Sequence, residues 1–358
     1  MESSLIPRNA WQQCRMPPVG VPFSAGGSYR HVSSTLVTVA MTRSVAEGVR
    51  DEGKINRLFV LGAGFVGRYV SDRFIKQGWH VSGTCTSAPR KRELQEMGLE
   101  AFLFDAISDK LRSLHALQEA THLLISIPPI VGIGDPLLSL HGDVQDTIRD
   151  GNLQWLGYLS STSVYGDCGG VWVDEDYPTN PKTESAKSRL AAERGWLDLG
   201  HELGVAVNVF RLGGTYGPGR SALDTVIKGK SLSEGQKKRE SKLFTSRVHV
   251  ADIYQAIKAS CEICLSRRIY NVVDDDPAPR EEVFAFARSM ISKKWPEMAS
   301  KLANDDTQDE QSPESRGGEK RVSNARLKKE LGVTLLYPTY RLGLQNIIDS
   351  WEQVPNLP

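Results

Sequence analysis

The chain has 358 residues, 44 basic against 43 acidic side chains for a formal net charge of +1, and a hydrophobic content of 40%. This is the composition of a globular protein large enough for a sizeable core, and the balanced charge gives no overall electrostatic case for a nucleic-acid or membrane-surface partner. No apolar run approaches the roughly 18 residues a spanning helix needs, and five scattered cysteines are too few for a disulfide framework.

Residues 1–50 differ from the rest. They are rich in Ser and Thr and carry Arg8, Arg15, Arg30 and Arg43, with Glu2 as the sole acid before Glu47. That composition predicts an organelle transit peptide, with the chloroplast stroma as destination and the mitochondrion or cytosol as alternatives; a disordered tail is the other reading.

The first strong element is the apolar run Leu58–Leu61, which enters Gly62-Ala63-Gly64-Phe65-Val66-Gly67 and then a helical pattern at Tyr69, Val70, Phe74 and Ile75. A strand, a G-x-G-x-x-G turn and a helix predict the first βα turn of a dinucleotide-binding unit. Gly62 permits the tight turn, Gly64 lets a pyrophosphate approach, Gly67 lets the helix pack on the strand, and the N–H groups around Phe65 and Val66 receive the negative charge. The second strand, 79–85, is followed by no acid before Arg92. An NAD-preferring site places a carboxylate here for the ribose 2′-hydroxyl. Thr84, Thr86, Ser87, Arg90 and Lys91 suit a 2′-phosphate instead, so NADP is favoured and NAD remains the alternative.

Strand 101–104 delivers Asp105 to the adenine end, helical sequence is expected over 108–120, and a strand over 122–127 stops at Pro128-Pro129. A helix at 144–152 and a strand at 154–160 follow, the latter delivering Ser161-Thr162-Ser163-Val164-Tyr165-Gly166-Asp167. The alternation predicts an α/β fold: a Rossmann-type doubly wound parallel sheet over 55–210, with a small C-terminal substrate lobe over 211–350 interwoven with it. A polar stretch at 300–320 reads as a mobile loop and the last helix spans 342–351. Cys261 and Cys264 form a C-x-x-C without partner ligands, which reads as two inert thiols, and no metal site is expected.

The glycine turn, the Ser-Ser-Thr-Ser-Val-Tyr-Gly-Asp segment, Asp174-Glu175-Asp176, Leu190-Ala191-Ala192-Glu193, Arg211 to Arg220, Arg247 to Ile253 and Tyr270 to Asp275 together resemble the extended short-chain dehydrogenase/reductases of the NAD-dependent epimerase/dehydratase type. The resemblance runs from about Arg57 to Leu344. It implies that Ser161 polarises a substrate carbonyl and that a tyrosine and a lysine in Y-x-x-x-K move the proton and hold the nicotinamide ribose. Aligning on Leu190–Glu193 puts Ser185 at the tyrosine position and Arg189 at the lysine position. Serine has no accessible pKa near neutrality and arginine stays protonated, so this pair cannot perform that proton transfer.

Arg189 is expected either at the cofactor ribose or phosphate, or in a surface pair with Glu193. Tyr165 is a second candidate acid. Tyr254 and Lys258 form the one Y-x-x-x-K of the chain, in the wrong helix, and His249 between two valines reads as structural, with a general base as the other reading. This departure is similar to an atypical subgroup, including the bacterial YeeZ-like proteins, that keeps the cofactor fold without the catalytic tyrosine. Arg211, Arg220 and Arg247 point to a small anionic or sugar-like substrate. The expected function is therefore an NADP-dependent oxidoreductase or epimerase with a non-standard proton donor, against a non-catalytic NADP-sensing or scaffold protein. Organellar RNA binding is disfavoured because no basic run exceeds Gln236-Lys237-Lys238-Arg239. A small-molecule partner is expected, with homodimerisation left open.

Overall fold

The structure is a computed structural model that describes residues 56–140, 144–229, 244–298 and 320–354. The expected transit segment 1–50, the basic run 236–239 and the loop 300–320, except Lys320, lie outside the described residues.

Strand β1 (Arg57–Leu61) alternates its side chains between two cores: Leu58 and Val60 face one apolar cluster, Phe59 and Leu61 the other. A strand buried on both faces reads as a continuous apolar run, and it belongs in the middle of a parallel sheet. It is followed by α1 (Phe65–Ile75), β2 (His80–Cys85), α2 (Ala88–Glu96), β3 (Glu100–Leu103), α3 (His115–Gln118), β4 (His122–Ile125), α4 (Pro136–Leu140), α5 (Val144–Arg149) and β5 (Trp155–Ser161). Then come β6 (Trp172–Val173), α6 (Glu184–Leu203), β7 (Ala206–Leu212), β8 (Gly214–Tyr216), α7 (Ala222–Lys228), β9 (Arg247–His249), α8 (Val250–Ile263), β10 (Arg268–Val272), α9 (Arg280–Lys294), β11 (Arg321–Val322), α10 (Ala325–Leu331) and α11 (Tyr340–Asp349).

Seven strands form one parallel sheet in the order β10-β7-β5-β4-β1-β2-β3. The order reverses between β1 and β4, which creates the crevice where ligands of such sheets bind. One face packs on α1, α8 and α10, the other on α5 and α6. This is the expected doubly wound α/β sheet. A third cluster, with Tyr216, Leu223, Val283, Ile291, Tyr340 and Ile347 among its members, forms the core of the smaller lobe. β10 returns from that lobe to pair with β7, so the two regions are interwoven.

The expected helix over 108–120 is shorter than its sequence pattern. Asp105 and Asp109 accept backbone N–H groups locally, from Ile107 at 2.8 Å and from Asp105 at 2.7 Å, and these side-chain bonds replace the first helical turn. What remains is a 3-10 turn at Leu111–Ser113 and the short α3. Cys261 is buried in α8 while Cys264 caps it at φ 52°, and both are free thiols. Among the described residues no group of His, Cys, Asp and Glu could hold a metal ion, and no helix is long and apolar enough to cross a membrane.

Candidate functional site

The three glycines have three distinct environments. Gly62 adopts φ +94°, and a Cβ there would also meet Ile127 at 2.9 Å. Gly67 lies so close to the turn that a Cβ would come within 2.5 Å of the Gly62 carbonyl oxygen. Around Gly64 nothing lies within 4 Å of a built Cβ, so this is the open side of the turn. Behind it, the first N–H groups of α1 have no carbonyl one turn earlier, and neither a side-chain cap nor an acidic residue occupies this end. A tight turn, an open approach and free N–H groups together fit a pyrophosphate.

The turn is held from β2. Thr84 Oγ1 accepts the Gly62 N–H at 2.9 Å, and the Thr84 carbonyl accepts the Ala63 N–H at 2.7 Å. Thr84 is fully buried. This corrects its expected contact with a 2′-phosphate: the side chain braces the turn and is closed to ligand. Beyond β2, Thr86, Ser87 and Arg90 are exposed at the start of α2. Ser87 sits at the N-cap without a side-chain cap bond. Arg90 donates to Glu93 at 2.7 Å, an exposed pair of small energetic weight that a phosphate could displace. Asp105 is exposed at the end of β3 and engaged in its local turn.

At the end of β5, Ser161 is half-buried and its oxygen accepts the Ser163 N–H at 3.2 Å, which starts the 3-10 turn Thr162–Tyr165. Ser185 is exposed in the first turn of α6, and Arg189, one turn on, is half-buried. Arg189 does not pair with Glu193. It lies within electrostatic reach of the buried Tyr158 hydroxyl, whose pKa is raised first by burial and then by Asp135, with Arg189 opposing.

Glu193 is claimed by a different network. Its carboxylate accepts from Ser160 at 2.5 Å and from the Arg211 guanidinium at 2.7, 3.1 and 3.2 Å. Arg211 also donates to the Tyr165 hydroxyl at 2.9 Å, which in turn donates to Asn271 at 2.8 Å. Asn271 continues through its amide to Ser323 and through its backbone N–H to Glu175. Two expectations are corrected here. Tyr165 is fully buried, and burial pushes its hydroxyl up to about 12 against the opposing pull of Arg211, so it is neither reachable nor acidic enough to serve as catalytic acid. Arg211 is likewise buried, with its fork filled by Glu193 and Tyr165, so it does not face a substrate anion.

The other two arginines line a cavity of about 570 Å³ between the β8–β9 pair and α7, α9 and α11. Its wall includes Arg220, Lys228, Arg247 and Arg280, with Asp224 as the acid. Asp224 is tied to Ser221, accepting its hydroxyl at 2.5 Å and donating its own backbone N–H back at 3.2 Å. Arg247 donates to the carbonyl and hydroxyl of Thr245, and its guanidinium lies 5.7 Å from the Tyr340 ring centre. Among the described residues the cavity wall thus carries net positive charge beside aromatic and apolar surfaces, suited to an anionic polar molecule.

Behind Arg247 lies Asp274, fully buried, with no side chain bonded to either carboxylate oxygen among the described residues and only the backbone N–H groups of Arg247 and Asp276 beside it. Burial raises its pKa well above the usual carboxylate value despite the nearby Arg247. His249 is structural, as its setting predicted: Nδ1 accepts the Ala251 N–H at 3.2 Å, and burial lowers its pKa to about 4. In the Tyr254/Lys258 pair, Lys258 is bonded to Glu262 and Tyr254 packs on Phe74. Thr84's clamp, the Arg211–Glu193 network and Asp274 were absent from the sequence reading, because each depends on partners at least 18 positions away.

No family model matches the chain. Protein YeeZ of Escherichia coli strain K12 is 29% identical over 292 residues, spanning 79% of this chain and 97% of that protein. A solved structure of a functionally unknown conserved protein from Silicibacter pomeroyi is 33% identical, with a TM-score of 0.65, and the match covers 83% of this chain and 100% of that one. The fold alone is shared with UDP-glucuronic acid 4-epimerase of Bacillus cereus, solved with UDP-glucuronic acid and NAD, at 17% identity and a TM-score of 0.60 over 82% of this chain and 98% of that enzyme. With its doubly wound sheet, its glycine turn and 33% identity across the whole of the Silicibacter pomeroyi protein, the chain belongs to one family with that protein and shares the fold of the NAD-dependent epimerases.

Proposed function

We propose that the protein binds a nicotinamide dinucleotide, NADP in preference to NAD, and acts as an oxidoreductase or epimerase on a small anionic or sugar-like substrate. The observation that carries this reading is the Gly62–Gly67 turn, open at Gly64, tight at Gly67 and braced by Thr84. Thr86, Ser87 and Arg90 would receive the 2′-phosphate, and the cationic cavity would receive the substrate. The structural relative that holds UDP-glucuronic acid supports a sugar-like anion as the class.

When bound, the nicotinamide supplies or accepts a hydride. Ser161 is half-buried at the end of β5, and its hydroxyl would donate to the substrate oxygen and orient it. Arg189 would stabilise negative charge beside the ribose, while its guanidinium keeps its own proton. The proton therefore comes from solvent or from the substrate. A second reading, a dinucleotide sensor without turnover, is favoured by Ser185 and Arg189 at the positions where the family resemblance implies tyrosine and lysine. The transit-peptide composition of residues 1–50 supports a chloroplast location.

Titration of NADPH and NADH against wild type and Arg90→Ala tests the binding. NADPH is expected to bind more tightly, with that preference lost in Arg90→Ala; equal affinities in wild type would remove the NADP assignment. Steady-state reduction of a carbonyl panel, abolished in Ser161→Ala with cofactor affinity unchanged, separates the enzyme from the sensor.

A further inference from the structure

The turn Gly217–Arg220 joins the two halves of the candidate site. Its ends exchange backbone hydrogen bonds, Gly217 N–H to Arg220 O and Arg220 N–H to Gly217 O, each 3.0 Å. The turn belongs to the lobe, between β8 and α7, yet it rests on the first residue of α1. A Cβ on Gly217 would lie 2.7 Å from Val250 and 3.3 Å from the Phe65 ring, so this approach requires glycine. Arg220 then places its guanidinium 5.1 Å from the centre of that same ring.

Arg220 is exposed and lines the cavity, and its guanidinium meets no carboxylate or hydrogen-bond acceptor among the described residues. Its neighbours in the cavity wall are engaged: Arg247 with Thr245, and Arg280 over the Phe284 ring at 4.1 Å. Stacking on an aromatic face occupies the flat side of a guanidinium and leaves its N–H edges available for a bidentate anion contact. The ring that Arg220 stacks on belongs to the residue whose backbone N–H opens α1. The α1 terminus alone offers roughly half an elementary charge, while a pyrophosphate brings two negative charges.

We propose that Arg220 is a dinucleotide ligand, its guanidinium gripping the pyrophosphate at the N-terminus of α1 from the side of the lobe. The proposal rests on the dinucleotide reading above and moves Arg220 from the substrate to the cofactor. It makes the cofactor site a joint product of the sheet and the lobe, and the occupied cavity then shares a wall with the bound pyrophosphate.

Calorimetric titration of NADPH, ADP-ribose and AMP against the full-length protein and its Arg220→Gln and Arg220→Lys variants provides the test. ADP-ribose contains the pyrophosphate and AMP does not. Arg220→Gln is expected to weaken NADPH and ADP-ribose about tenfold, the loss of one charge-assisted contact, with AMP and the melting temperature unchanged. Arg220→Lys, which keeps the charge without the planar fork, falls between. Unchanged ADP-ribose affinity in Arg220→Gln overturns the proposal, and so does an equal loss for AMP, which marks a general disturbance of the turn. If wild type binds neither NADPH nor ADP-ribose, the dinucleotide reading itself falls and this inference with it.

Discussion

Glu193 and Asp274 are both buried carboxylates, at 1% and 2% exposure, and their surroundings are opposite. Glu193 has a bidentate arginine and a serine on its oxygens, and the partners of those partners are bonded in turn as far as Glu175. Asp274 has Arg247 nearby and no side chain bonded to either oxygen among the described residues; the backbone N–H groups of Arg247 and Asp276 oppose its burial without outweighing it. The first arrangement tolerates a buried charge because every lone pair is used; the second disfavours one. Four of the residues that carry the family resemblance, Tyr165, Glu193, Arg211 and Asn271, fall in the satisfied network, where they tie β5, β7, β10 and α6 together. At these four positions the motif marks structural support, whereas Asp274, Arg220 and Arg247, which belong to the same motifs, do not share in that network.

The comparison can be broken most forcefully by removing one half of the satisfied pair. Arg211→Met leaves the Glu193 charge buried without its partner, and a loss of about 3–5 kcal/mol is expected in urea unfolding; replacing both partners by apolar residues should recover much of it. A double-variant loss equal to the sum of the two single-variant losses would show that the network has no specific pairing energy.

Acid titration gives the next largest effect and acts on both regions. Burial lowers His249, beside the Asp274 region, and His122, on β4, each to about 4 from an ordinary 6.5. A histidine with a depressed folded pKa stays neutral while the unfolded chain takes up its proton. Its contribution is complete above pH 6.5 and is lost as the pH falls toward 4, up to about 3 kcal/mol for each ring. Unfolding free energies that are flat between pH 7 and 4.5, in wild type and in His122→Gln alike, would contradict this assignment.

The smallest expected effect runs the other way. Because burial raises Asp274, the folded protein keeps that proton to a higher pH than the unfolded chain, so this residue's contribution becomes unfavourable as the pH rises through its folded pKa. Asp274→Asn is expected to stabilise the protein by about 1 kcal/mol at pH 8, with no gain near pH 4 where both forms are neutral. Destabilisation at pH 8 would place Asp274 among the satisfied carboxylates.

How much of this was legible in the sequence depends on how far apart the interacting residues lie. The glycine turn is written in six consecutive residues, and its requirements, a positive φ at Gly62 and close contact at Gly67, are local. The sheet is legible for the same reason, since strands buried on both faces are continuous apolar runs. The shortness of α3 is hidden from the sequence because Asp105 and Asp109 compete with the helix through side-chain bonds that apolar periodicity does not register. Arg211 and Tyr165 stand out in the sequence, but their role does not, since their hydrogen-bonding groups are filled by residues 18 to 106 positions away. Arg220 was readable as a cation for an anion. Its place over Phe65 follows from how Gly217 packs, which no local pattern encodes.

Thr84 has a wider consequence. It ties the turn to β2 through both its hydroxyl and its carbonyl, and the exposed residues that would distinguish NADP from NAD begin two positions later, at Thr86. Grip and choice are thus consecutive but mechanically separate. On the proposed dinucleotide reading, substitutions from Thr86 to Arg90 would retune which dinucleotide is preferred while the Thr84 brace keeps the backbone of the glycine turn in one shape.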